Sequence, residues 1–126
     1  TATQIIILMK IEKFEDLIAW QKAQSFTVLI YKEFAHTKDY SFKDQICRAS
    51  VSISNNIAEG FDRGSKKEFI RFLYIAHASC SEVKSMLYLA MKLEYFSQET
   101  MNTYLTLGNE ISLIIRGLIS ACKKNV

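Results

Sequence analysis

The fold is decided by the stretch from Asp44 to Glu82, which reads DQICRASVSISNNIAEGFDRGSKKEFIRFLYIAHASCSE. Apolar side chains recur along it at spacings of three and four residues, which is the period of an α-helix with one buried face. Ser65 followed by Glu68 forms a capping box, in which each side chain can satisfy a free backbone amide of a first helical turn. The stretch therefore predicts the end of one helix, a short turn and the start of another.

The same spacing continues on both sides and predicts four helices. The first runs from about Asp16 to His36, the second carries apolar residues from Phe42 to Ile57, the third starts near Ser65, and the fourth follows an N-cap at Ser97. Gly60 is expected to end the second helix in the left-handed conformation that favours glycine. Because the connections are short, neighbouring helices should be antiparallel, and the predicted fold is an all-α, up-down-up-down four-helix bundle.

The third predicted helix has the most regular apolar pattern. Steps of four and three residues relate the members of its seam, Phe69, Leu73, Ala76, Cys80, Val83, Leu87 and Ala90. Such a seam is typical of a helix that packs against nearly parallel neighbours.

Length and composition agree with a small helical protein. The chain has 126 residues, no proline and four glycines, so one continuous core and few turns are expected. Residues 1–126 are predicted to form a single domain, with 1–12 as an ordered N-terminal extension. Its apolar run, Ile5 to Met9, is too short to cross a bilayer and needs a surface to bury against.

Cys47, Cys80 and Cys122 are odd in number, far apart and surrounded by apolar residues. This pattern favours small buried side chains in a reducing compartment over a disulfide framework. A cytoplasmic location is therefore predicted.

Polar residues adjoin the apolar stripes of the two inner helices. They are Arg48, Ser52, Asn56 and Glu59 on the second helix and Ser79 and Glu82 on the third. A buried charge without a partner costs several kcal/mol. A pairing of Arg48 with Glu82, with hydrogen bonds from Asn56 and Ser79, is therefore predicted as a structural network. The alternative is that Arg48 and Asn55 line a ligand surface.

Two segments carry a family resemblance. They are FEDLIAWQKA at Phe14–Ala23 and QICRASVSISNNIAEGFDRGSKKEFIRFLYIA at Gln45–Ala76. The most specific positions are Phe14, Leu17, Trp20, Gln45, Arg48, Ser52, Asn56, Ile57, Glu59 and Gly60. With them the chain resembles, over roughly residues 12–120, the four-helix bundle family associated with intervening sequences in bacterial 23S ribosomal RNA genes.

The resemblance implies an assembly and a range of partners. Members of this family form ring-shaped homopentamers, and the resemblance implies the same assembly for this chain. A related bundle is the accessory protein of diversity-generating retroelements, thought to bind nucleic acid and a reverse transcriptase through a basic surface. The chain departs from the family pattern at Ala78–Ser79, where relatives commonly have Gly-Ser, and in lacking a proline before the second helix.

Catalytic and metal-binding patterns are weak. Glu33 and His36 form one ExxH pair, but di-iron bundles need two. His77 and Cys80 lie one turn apart, yet two ligands do not make a structural zinc site, and Cys80 belongs to the packing seam. No P-loop or glycine-rich nucleotide motif occurs in the sequence. We therefore predict no enzyme activity, no metal and no cofactor.

The net charge is only +3, but the excess lies around the turn before the third helix and at the C-terminus. The basic residues are Arg63, Lys66, Lys67 and Arg71 in the first group and Arg116, Lys123 and Lys124 in the second. Phosphates are held mainly by such groups. The alternative is a solvated helix end, partly neutralised by Glu59, Asp62 and Glu68.

These patterns predict a cyclic homo-oligomer, with five subunits suggested by the resemblance, that binds RNA or DNA through phosphates without catalysis. Ring symmetry would sum the modest basic clusters into one positive field. A second hypothesis is a protein-interaction scaffold that recruits an enzyme encoded nearby, such as a reverse transcriptase. No membrane partner is expected.

Overall fold

A computed structural model of the chain describes residues 10–124, so the expectation of an ordered apolar run at Ile5–Met9 lies outside the described residues. A 3₁₀ turn (Phe14–Asp16) precedes four helices: α1 (Ile18–Glu33), α2 (Tyr40–Asp62), α3 (Lys66–Lys92) and α4 (Gln98–Lys124). No strand occurs between residues 10 and 124. The prediction of an all-α four-helix bundle is confirmed.

The core lies between the four helices and is built from the predicted apolar stripes. Every residue of the α3 seam, from Phe69 to Ala90, is buried. Ile30, Ile53 and Ile115 face that seam from α1, α2 and α4 and have no solvent exposure. Burial of such aliphatic side chains contributes about 1.5–3 kcal/mol each, so the repeated spacing accounts for most of the stabilisation.

Hydrogen bonds between helices fix which residues lie at the same level. The Thr27 hydroxyl donates to the Ser50 carbonyl oxygen at 3.0 Å, and the Gln24 amide donates to the Ser54 hydroxyl at 2.9 Å. On the other side of the bundle, the Cys80 thiol donates to the Gly108 carbonyl oxygen at 3.3 Å.

Gly60 does not end α2, and the prediction of its left-handed conformation is wrong. The helix continues to Asp62, and the positive φ of +83° belongs to Gly64. A Cβ atom on Gly60 would lie 2.4 Å from the Cβ of Phe72. Gly60 is therefore needed where the backbone of α2 lies close to Phe72 of α3, and Gly64 is needed in the turn.

The helix starts also differ from the prediction in detail. Residues Phe14–Asp16 form the separate 3₁₀ turn, so α1 begins at Ile18. The Ser65 hydroxyl accepts from the Glu68 amide at 3.2 Å, but the Glu68 carboxylate binds the Arg71 guanidinium at 2.7 Å. Since the charged guanidinium is a stronger donor than a backbone amide, only one of the two capping-box bonds forms.

The connection from α3 to α4 contains Glu94 with a φ of +61°. The Tyr95 amide donates to the Ala90 carbonyl oxygen, and the Glu94 amide donates to the Met91 carbonyl oxygen, at 2.9 and 3.0 Å. This pair of bonds is a Schellman motif, in which the residue at the Glu94 position is usually glycine.

The helix α4 has the length and apolar composition that would allow it to cross a membrane. Its apolar side is packed inside the bundle, where Ile111, Ile115 and Cys122 are buried. A core helix of a bundle has the same composition, and α4 occupies that position here.

Candidate nucleic-acid interface

The basic residues singled out in the sequence come together where α2 ends, α3 begins and α4 ends. We call this set the basic region: Arg63, Lys66, Lys67, Arg71, Arg116, Lys123 and Lys124. A groove at this end of the bundle is lined by Lys66 and Phe69 from the start of α3 and by Cys122 from α4. The Lys123 ammonium donates to the Tyr74 hydroxyl at 2.6 Å, which joins the last turn of α4 to α3. Two clusters far apart in sequence therefore form one surface.

Two arginines of the basic region are held by an aromatic ring and by carboxylates. The guanidinium carbons of Arg63 and Arg71 lie 5.1 and 4.5 Å from the centroid of the Phe72 ring. Arg63 also binds Glu59 at 3.0 Å, and Arg71 binds Glu68 at 2.7 Å. The Arg71 bond lowers the pKa of the Glu68 carboxyl. Both arginines are thus well positioned but partly neutralised.

The lysines of the region differ from the arginines. Lys67 and Lys124 are exposed, and no ion pair involves either of them within residues 10–124. Lys123 donates to the neutral Tyr74 hydroxyl, and no ion pair involves it in the described part of the chain. The carboxylates of Glu12 and Asp62 lie along the neighbouring groove. Lys67, Lys123 and Lys124 therefore keep more of their positive charge than the two paired arginines.

The basic surface continues along the junction of α3 and α4. The Arg116 Nε atom donates to His77 Nε2 at 3.1 Å, which requires a neutral imidazole as acceptor. Burial lowers the pKa of His77, and the nearby charges of Arg116 and Lys84 lower it further. The ring is therefore a neutral support for the Arg116 side chain.

Lys84 extends this line and was missed in the sequence. Its ammonium donates to the Ser112 hydroxyl at 3.0 Å and to the Asn109 side-chain oxygen at 3.4 Å. In the sequence it stands next to the seam residue Val83 and outside the two basic groups, so its charge does not single it out. The signal that would have found it is the seven-residue spacing from His77, which puts both on one side of α3.

The predicted polar network is present only in part. The hydroxyls of Ser52 and Ser79 lie 2.8 Å apart, and the Asn56 amide donates to the Ser52 hydroxyl at 2.9 Å. Arg48 and Glu82 are both exposed, and no ion pair joins them in the described part of the chain. The expected pairing of these two residues is wrong, because exposed charges stay hydrated and need no partner.

The remaining members of that set lie elsewhere. Glu59 is exposed and bound to Arg63. Arg48 and Asn55 line a shallow groove between α1 and α2, together with Tyr31 and Asn56. The alternative prediction, in which Arg48 and Asn55 line a ligand surface, concerns this groove.

The side chains considered for metal binding have other contacts. The Glu33 carboxylate accepts from the Tyr104 hydroxyl at 2.9 Å, and burial together with this bond raises the pKa of Tyr104 to about 12. His36 is exposed at the end of α1. Among residues 10–124, no group of three or more His, Cys, Asp or Glu side chains is placed to hold a metal ion.

The three cysteines are buried and unpaired. Burial raises the pKa of the Cys80 thiol, and the Ser112 hydroxyl donates to its sulfur at 3.4 Å. A protonated thiol is a poor nucleophile. His77 binds Arg116 rather than Cys80, so these two residues do not form a nucleophile and base pair.

Comparisons with known proteins agree with the resemblance found in the sequence. A family model described as "23S rRNA-intervening sequence protein" matches residues 15–117. The fold is similar to a 1.70 Å crystal structure of a protein with unknown function from the S23 ribosomal protein family of Bacteroides thetaiotaomicron, with a TM-score of 0.76 and 28% identity. That similarity covers 81% of this chain and 98% of the other. No curated protein matched. Because the family model matches most of its length, the chain belongs to the 23S rRNA-intervening sequence protein family.

Proposed function

We propose that this protein binds RNA or DNA without catalysis, mainly through the phosphate backbone. The observation that carries the proposal is the basic region, in which cations from two distant parts of the chain converge on one end of the bundle. Lysine and arginine side chains that neutralise phosphates release condensed counterions, and this release supplies most of the affinity of sequence-independent binding. Contacts of this kind position a nucleic acid without reading its bases.

The local structure supports phosphate as the bound group. The first turn of α3 lies at the same surface, and the N-terminal end of a helix attracts anions such as phosphate. Lys67, Lys123 and Lys124 add positive charge, and none of them forms an ion pair among residues 10–124. Filter binding of labelled RNA and DNA at low and high salt tests the proposal. Binding at low salt that weakens steeply at high salt is expected, whereas no binding, or binding indifferent to salt, would remove it.

We also propose that the helices run up-down-up-down and that the bundle assembles into a cyclic homo-oligomer, with five subunits as the first expectation. Hydrogen bonds between the helices support antiparallel neighbours. Between α1 and α2, Thr27 bonds to Ser50 and Gln24 bonds to Ser54, so residue numbers fall in one helix as they rise in the next. The bonds Tyr74–Lys123 and Cys80–Gly108 follow the same relation between α3 and α4.

Exposed apolar residues support the assembly. They occur on α1, α3 and α4, namely Ile18, Val28, Leu29, Ile75, Leu89, Leu93 and Leu113. A single bundle leaves these aliphatic side chains exposed to solvent, and a second copy of the chain could cover them. Light scattering coupled to size-exclusion chromatography measures the mass directly. A mass near five subunits is expected, and the mass of a single chain in dilute buffer would contradict the assembly.

The second candidate function is a scaffold that recruits an enzyme encoded nearby, and the same exposed aliphatic residues favour it. A pull-down that keeps a protein partner after nuclease treatment would support this function over nucleic-acid binding. Under either function a cytoplasmic location is proposed, since the three buried cysteines are free thiols.

A further inference from the structure

Tyr74 is an exposed aromatic ring within the basic region. It lies on the outer side of α3 and is 49% exposed. The Lys123 ammonium is 2.6 Å from its hydroxyl and 5.1 Å from the ring centroid. These two distances put the ammonium beyond the hydroxyl and not above the ring. The bond therefore holds the hydroxyl end of the ring, and the ammonium covers neither face of the ring.

Cations lie on both sides of this ring along α3. Lys67, Arg71 and Tyr74 follow one another at steps of four and three residues, so they share one side of the helix. In the other direction, Arg116 is held at the level of His77, three residues or about 4.5 Å beyond Tyr74 along α3. A strand whose phosphates contact these cations would pass directly over the ring.

We propose that Tyr74 is a stacking platform for an unpaired base, and that the protein therefore prefers single-stranded over double-stranded nucleic acid. This inference rests on the proposed function. Every base has a flat face that can stack on an aromatic ring, so such a platform needs no particular sequence. In a duplex the bases are already stacked on each other and paired, so their faces cannot reach Tyr74.

The stacking contribution sets the expected effect. Stacking of one base on an aromatic side chain changes affinity by about fivefold to a hundredfold. Because Tyr74 is only half exposed, we expect about fivefold to tenfold. Phosphate contacts are common to both forms of nucleic acid and should be unaffected by a change at the ring.

The test uses fluorescence anisotropy at about 50 mM salt. The probes are a labelled RNA of about 12 nucleotides without self-complementarity, which fits within a typical single-strand site, and the same strand annealed to its complement. The variants are Tyr74→Leu, which removes the ring, and Tyr74→Phe, which keeps it. The matched control is Tyr40→Leu, since Tyr40 is 68% exposed at the start of α2, away from the basic region.

The expected result has four parts. Wild type binds the single strand more tightly, Tyr74→Leu loses about fivefold to tenfold on the single strand only, Tyr74→Phe stays within about twofold, and Tyr40→Leu is unchanged. Tyr74→Gln should give the same loss and replaces the leucine variant if the latter self-associates.

Two outcomes would overturn the inference. If both probes bind, and Tyr74→Leu leaves the single strand unchanged or weakens both probes equally, the stacking platform is wrong while the proposed function stands. If neither these probes nor the same strands made as DNA bind at low salt, the proposed function fails and the inference fails with it.

Discussion

Replacing Gly60 with alanine tests the close packing of α2 against Phe72 of α3. The new Cβ atom would lie 2.4 Å from the Cβ of Phe72 and 3.2 Å from its Cγ. Ordinary contact begins near 3.4 Å, so α2 and α3 must separate by about 1 Å at this level. A change of side-chain rotamer cannot remove the clash, because the nearer atom is fixed to the α3 backbone.

Two effects of opposite sign set the magnitude. Overpacking of a tight core costs about 1–3 kcal/mol, and a clash with a fixed atom belongs at the upper end of that range. Alanine is favoured over glycine inside a helix by about 1 kcal/mol, which offsets part of the loss. The expected net effect is a loss of about 2 kcal/mol in the free energy of unfolding. For a chain of this length it lowers Tm by roughly 6–10 °C.

Urea unfolding followed by circular dichroism measures this loss, with a lower midpoint and an unchanged m-value expected. Gly108→Ala is the matched control. Its Cβ would meet the Cγ and Cδ of the flexible Lys84 side chain at 3.1 and 3.4 Å, so a near-neutral effect is expected. An increase in stability for Gly60→Ala would refute the reasoning. So would its becoming harmless in a Phe72→Ala background, since the clashing Cβ remains there.

Two further predictions concern the α3–α4 connection and the junction of these helices. Glu94→Gly should raise the free energy of unfolding by up to about 1 kcal/mol, because Glu94 has a φ of +61° and residues with a side chain are disfavoured in that conformation. Thermal unfolding measures this gain. An equal gain in Glu94→Ala would contradict the explanation. Burial lowers the pKa of His77 in the folded state below its ordinary value of about 6.5. Between the folded-state and unfolded-state pKa values the unfolded chain binds more protons, so the protein loses stability as pH falls. The loss between about pH 7.5 and 5.5 should be smaller in His77→Gln when measured by urea unfolding, and an equal loss would refute the role of His77.

The regular parts of the fold could be predicted from the sequence because each depends on a local pattern. The α3 seam is an unbroken series of apolar residues, and all of it is buried. The prediction of Ser65 and Ser97 as N-caps is confirmed. A serine hydroxyl directly before a helix can accept a hydrogen bond from a backbone amide of the first turn. The basic region could be identified residue by residue, but only the packing of α4 against α3 brings its two halves together.

Other features depend on neighbours that no local pattern reveals. Gly60 and Gly64 stand four residues apart, and the position of Phe72 on another helix decides their different roles. On α2, Ser50 and Ser54 are buried although they are polar, because their hydroxyls bond to backbone carbonyl oxygens of the preceding turn. The buried side of α2 is therefore broader than its apolar residues suggest. The buried side extends toward Ser50 and Ser54 and not toward Arg48, so the expected burial of Arg48 is wrong.

The most direct test of the central claim is the salt dependence of RNA binding in two triple variants. Lys67→Gln/Lys123→Gln/Lys124→Gln removes three lysines of the basic region that form no ion pair among residues 10–124. Lys32→Gln/Lys38→Gln/Lys92→Gln removes three exposed lysines at the opposite end of the bundle, where the Tyr95 hydroxyl binds Asp39 across the two connections.

We expect the logarithm of the binding constant to fall linearly with the logarithm of salt concentration. The slope should be shallower by about two to three in the first variant and unchanged in the second. Equal slopes in wild type and both variants would contradict the assignment of phosphate binding to the basic region.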